Sequence, residues 1–61
     1  MNKSQLKQFE MIKAYMANGM QDTAARGLSA MYRAAMSNSS RGAIMAAAFE
    51  LKLSNNPEFI I

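Results

Sequence analysis

The chain has no histidine, no cysteine, no tryptophan and only four acidic side chains, Glu10, Asp22, Glu50 and Glu58. Each absence excludes a class of chemistry. Without cysteine there is no disulfide and no thiolate nucleophile. Without histidine no side chain titrates near neutral pH in its ordinary range. A zinc site would have to be assembled from scattered carboxylates alone. Ser29 and Ser40 have no candidate base at a suggestive spacing, and Gly19, Gly27 and Gly42 stand singly rather than in a phosphate-cradling loop. The expectation is a non-catalytic protein with no cofactor and no metal.

Long apolar runs are missing too. The longest unbroken one, Ala43 to Phe49, falls far short of the ~20 residues a membrane-spanning helix needs. Lys3 and Lys7 give a basic start, but Gln8, Glu10 and Lys13 interrupt any signal-like apolar stretch behind them. The absence of cysteine suits a reducing compartment. These features predict a cytoplasmic protein that does not enter a membrane. The initiator-type Met1 suggests a complete small gene product.

What is present fits one small domain. The chain has 61 residues, a formal net charge of +3 and a pI near 9.7. A chain this short buries a small share of its surface, and folds below roughly 70 residues usually need a disulfide, a metal or another subunit. With the first two excluded, assembly as a homodimer or higher oligomer, or folding onto a partner, is expected. The mild basic charge permits contact with nucleic acid or an acidic protein surface without demanding either.

The apolar spacing predicts an all-α, three-helix domain spanning residues 1–61, with helices at about 3–18, 23–36 and 40–53 and a short apolar C-terminal tail. No period-2 alternation suggests a strand. In the first helix Asn2 or Ser4 can cap the start, with Gln5 placed for a capping box. Leu6, Phe9, Ile12 and Met16 form its stripe, widened by Met11 and Tyr15, and Asn18-Gly19 ends it. Asp22 is the expected N-cap of the second helix, in which Ala24, Leu28, Met31 and Ala35 form the apolar series, with Arg26, Ala30 and Arg33 opposite. Gly27 is its weak point, since a mid-helix glycine costs ~1 kcal/mol relative to alanine. The unbroken apolar period favours one continuous helix. In the third helix Ile44, Ala47, Ala48 and Leu51 form one face, and Met45, Phe49 and Leu53 a second. Pro57 stops it. Glu58-Phe59-Ile60-Ile61 is the tail, which should dock on the bundle or on another protein.

Several constellations carry functional readings beside plainer ones. Gly42/Ala46, Ala43/Ala47 and Ala30/Ala34 are small residues four apart, which let helices approach closely inside the domain or between chains. Met11, Met16, Met20, Met31, Met36 and Met45 fill a core or supply an adaptable contact surface. Arg26, Arg33 and Arg41, with Lys3, Lys7 and Lys13, form either a solvated face or a phosphate-binding one. Tyr15 and Tyr32 can stack on bases, though half-buried packing suits their place beside the stripes better. A helix-turn-helix fits poorly. A turn centred on Asn38 puts Arg33 and Ser37 at positions that should be buried, and one centred on Gly19 puts Asn18 there and bulky Tyr15 at the close contact. A membrane-surface helix is disfavoured by the alanine-dominated apolar faces and scattered basic residues.

The leading expectation is a helical protein–protein interaction module that binds a larger protein. Its candidate contact residues are Met31, Tyr32, Arg33, Met45, Phe49, Phe59 and Ile61. By size and composition alone it is of the type that phages and mobile elements use as regulators or inhibitors of host proteins. The alternative is a small basic nucleic-acid-binding protein acting through Arg26, Arg33, Arg41, Lys3 and Lys7, most readily without sequence specificity.

Overall fold

A computed structural model describes all 61 residues, Met1–Ile61. It is all-helical: α1 covers Lys3–Ala17, α2 Gln21–Ala34 and α3 Asn38–Glu50. The radius of gyration, 10.3 Å, is close to the ~10.5 Å that a compact chain of this length should have. No helix is long and apolar enough to cross a membrane.

Each boundary has a local cause. Asn2 caps α1 through a full capping box: its Oδ1 accepts from Gln5 N at 2.8 Å, and Gln5 Oε1 accepts from Asn2 N at 2.9 Å. This satisfies two of the orphan amides at the helix start. Gly19, at φ +72°, ends α1 in the left-handed conformation. Its amide donates to Met16 O at 3.1 Å and the Met20 amide to Tyr15 O at 2.9 Å, the two bonds of a Schellman motif.

The second helix begins at Gln21, two residues before the expected start. Asp22 is therefore not its N-cap. Met20 holds that position without a side-chain hydrogen bond, while the Asp22 charge lies in the first turn, where it still favours the positive helix end. The helix stops at Ala34 rather than Met36, because Ala35 turns extended (φ −66°, ψ 135°), and Met36 is left 95% exposed. The third helix also starts two residues early. Ser37 is the cap, its Oγ accepting from Ser40 N at 3.1 Å.

The end of α3 departs most from expectation. The helix stops at Glu50, not Leu53. Lys52 takes the left-handed conformation at φ 59°. Its amide donates to Phe49 O at 3.1 Å and the Leu53 amide to Ala48 O at 2.8 Å. This is a second Schellman motif with lysine where glycine is usual. It turns Leu53 inward to 1% exposure, so Leu53 joins the core while Phe49, expected on the same face, stays outside.

The core is threaded on α2. Ala24, Ala25, Leu28, Met31 and Ala35 pack with Ile12 of α1, with Ile44 and Ala48 of α3, and with Leu53. Helices α1 and α3 each pack on α2, but no Cα of one comes within 8 Å of a Cα of the other. One side-chain hydrogen bond, from Ser40 Oγ to Gln5 Oε1 at 3.4 Å, runs between them. Gly27 does not split α2. It stands against α1, and a Cβ there would lie 2.5 Å from Ile12 Cδ1. Leu6, expected in the core stripe of α1, is half exposed, because Ile12, Phe9 and Met16 set a stripe that leaves it on the outer edge.

Candidate interaction surface

The residues after Leu53 run along one row of α2 side chains spaced three or four apart: Asp22, Arg26, Ser29 and Arg33. Asn56 Nδ2 donates to Asp22 Oδ1 at 3.1 Å, and Arg26 pairs with Glu58 at 2.8 Å. Arg33 Nη1 donates to Ile60 O at 2.6 Å. Between the arginines, the buried Ser29 hydroxyl accepts from Ile60 N at 2.8 Å and lies within hydrogen-bond reach of Ala25 O (2.9 Å) and Glu58 O (3.1 Å). One hydroxyl proton serves those two carbonyls in turn. The arm starts from a tight turn, in which Asn56 Oδ1 accepts from Glu58 N at 2.8 Å and Asn56 O from Phe59 N at 2.9 Å. Phe59 packs against the core, while Ile60 and Ile61 stay mostly exposed.

This arrangement divides the candidate basic residues. Arg26 and Arg33 are held to the arm, and Arg41 Nη1 donates to Asn38 Oδ1 at 3.1 Å on its own helix. Lys13 pairs with Glu10 at 2.9 Å and sits 5.3 Å from the centroid of the Phe9 ring. Lys3 and Lys7 are exposed on α1. The arginines and lysines do not gather into one face.

Between α1 and α2 lies an open groove of about 300 Å³. Met11, Tyr15 and Gln8 form its α1 wall, with Ile12 deep between the helices, and Gly27, Ala30, Met31 and Ala34 line the α2 side. Small side chains on α2 make it shallow and apolar. Met11 is 55% exposed there, and Ala30 and Ala34 are exposed as well. The Ala30/Ala34 pair thus faces out, whereas Ala47 of the Ala43/Ala47 pair is in the core.

A second apolar face lies on α3. Gly42, Ala46 and Phe49 share its outer side, all exposed, with Phe49 at 65% and Glu50 beside it. Neither Gly42 nor its surroundings crowd this face, for a Cβ there would meet nothing within 4 Å.

No known family model matches the chain, and neither a curated protein nor a solved structure shows significant similarity to it.

The candidate contact residues are dispersed. Met31 is 5% exposed and belongs to the core, so it offers little to a partner. Tyr32, Met45 and Phe59 are half-buried, and Tyr32 and Phe59 pack against the core. Arg33, Phe49 and Ile61 are exposed. Met11, Ala30 and Ala34, which line the groove, are not among those candidates. Their signal was the weak one of small residues beside a methionine on neighbouring helices, legible only once the α1–α2 hairpin is paired.

Proposed function

We propose that this chain is a non-catalytic helical interaction module that binds a larger protein, in the manner of the small regulators and inhibitors that phages and mobile elements encode. The observation that carries the reading is the contrast between core and surface. Only 11 of 61 residues are buried, while Leu6, Met11, Met20, Met36, Phe49, Ile60 and Ile61 remain largely exposed. Apolar side chains in that proportion on so small a surface favour contact with another protein. Phe49 and the apolar end of the arm are the contact residues best placed for it, with Arg and Lys side chains at the rim setting orientation and rate.

The nucleic-acid alternative has less behind it. Its two central arginines already spend donors on the arm, and Arg26 has a carboxylate beside it. The two readings separate in one experiment. Tagged protein is used to capture partners from bacterial lysate, with nuclease treatment and a high-salt wash. A stoichiometric protein that survives both, and is lost with Phe49→Asp, is the expected result. Material lost to nuclease or salt would transfer the function to phosphate binding, which weakens steeply with salt.

A further inference from the structure

We propose that the α2 row Asp22, Arg26, Ser29 and Arg33 is a recognition site for a short acidic–aromatic turn of the partner protein, and that the C-terminal arm is its built-in occupant, displaced when the partner binds. The proposal rests on the reading above and gives the larger protein a chemistry. Three observations support it.

The first is that the row reads a segment residue by residue. Asp22 Oδ1 accepts from the Asn56 amide side chain, so this place takes a donor and repels a carboxylate. Arg26 pairs with Glu58 two residues on, so this place takes an acid. Phe59 follows and packs against the core, half-buried. Ser29 accepts from Ile60 N, and Arg33 donates to Ile60 O, so the last place is held by its backbone whatever its side chain. The pattern read is donor, any residue, acid, aromatic, any residue.

The second is that the site stays satisfied when the arm leaves. The buried Ser29 hydroxyl lies 2.9 Å from Ala25 O of its own helix, so lifting the arm strands no buried donor. Both arginines are exposed and can turn to water. No residue beyond Leu53 belongs to the buried core cluster. The exposed Arg26–Glu58 pair is a weak restraint. The arm can therefore exchange without unfolding the helices.

The third is that the occupant holds its own shape. Asn56 Oδ1 accepts from Glu58 N at 2.8 Å, and Asn56 O from Phe59 N at 2.9 Å. Asn and Pro57 are the residue types that favour the first two places of such a turn. Nothing in this turn needs the rest of the chain, so a loop of another protein with the same pattern presents the same groups. Displacement also frees Ile60 and Ile61 for the contact assigned to them above.

Nuclear magnetic resonance titration of the full chain tests this, with the capped hexapeptide Asn-Pro-Glu-Phe-Ile-Ile as probe. The peptide is expected to shift the amides around Arg26, Ser29 and Arg33 and to move the Ile60 amide toward its free position. Versions with Lys for Glu or Ala for Phe should bind at least ~10-fold more weakly. Glu58→Lys loosens the built-in arm and should tighten peptide binding about 5-fold or more, because apparent affinity scales with the open fraction. Arg26→Glu should reverse the preference, favouring the Lys peptide over the Glu peptide, which loss of a merely structural residue would not do. Circular dichroism melts check that the variants fold. Binding to wild type and Glu58→Lys no tighter than that of a scrambled peptide would overturn the proposal. So would binding that leaves Ile60 unmoved, or an Arg26→Glu protein that still prefers Glu. Failure of the peptide in a chain that dimerises by exchanging arms would hand the site to a second copy instead. The titration needs no lysate partner, so its failure leaves the Phe49-dependent capture standing, and a failed capture leaves the titration result standing.

Discussion

Ile12 Cδ1 occupies the space that a side chain at Gly27 would need, 2.5 Å from the position of its Cβ. Glycine here trades helix propensity for a close α1–α2 crossing. Replacing it sets two terms against each other. Alanine gains ~1 kcal/mol of helix propensity. It also crowds a core methyl, and overpacking costs about 1–3 kcal/mol. Because Ile12 is buried, the second term should win: Gly27→Ala is expected to lose about 1 kcal/mol. In an Ile12→Val background the methyl is gone and the sign should reverse. Urea unfolding of the four proteins in this cycle checks it. A Gly27→Ala protein more stable than wild type would rule out the crowding account.

Ser29→Ala removes the acceptor for the Ile60 amide and leaves the arm held by the packing of Phe59 and by exposed polar groups. An exposed ion pair such as Arg26–Glu58 contributes at most about 1 kcal/mol. A partly buried amide stripped of its partner costs about 1–3 kcal/mol. The expected loss is about 1–2 kcal/mol, a melting-temperature drop on the order of 5–15 °C. Hydrogen exchange at Ile60 should accelerate more than at Leu28. Equal acceleration at both sites would mean that Ser29 supports the whole core and not the arm.

Lys52→Gly should stabilise the protein by about 1 kcal/mol. A left-handed conformation costs an L-residue roughly 1–2 kcal/mol that glycine avoids, and glycine returns part of this through the entropy of its unfolded chain. Lys52 has no ion pair to lose. Thermal melts of the two proteins give the answer, and an unchanged or lower midpoint would contradict the strain at this cap.

Leu53→Ala and Phe49→Ala should differ sharply although both residues fall on one predicted face. Truncating buried Leu53 should cost about 2–5 kcal/mol, enough to unfold much of a domain this small. Truncating Phe49 should stay within about 0.5 kcal/mol, as surface changes do. Far-ultraviolet circular dichroism at 25 °C distinguishes the pair.

The number and type of helices were legible because the apolar period in each segment is intact. Ala24, Leu28, Met31 and Ala35 are all buried, as their spacing predicts, and so are Ile44, Ala47 and Ala48. The capping box at Asn2 was legible because its residue types are specific. The end of α3 was not, because the left-handed cap is a lysine and carries no glycine signal. Asp22 misled because a good capping residue also serves well in a first turn. On the surface, the sequence showed exposed charge but not its commitments. Arg26 and Arg33 find the arm across about 30 residues of chain, a pairing no local pattern encodes. Met31 looked like a contact residue because periodicity alone cannot say which side of a helix a third element covers.

The central place of α2 also bears on how the molecule opens. With α1 and α3 backbones touching only α2, there is no way to melt α2 and keep a residual pair of helices. The outer helices and the arm can fray one at a time, each at the cost of its own contacts. The amides of Leu28 and Met31 should therefore exchange only through global unfolding, and their rate reports the stability of the entire chain.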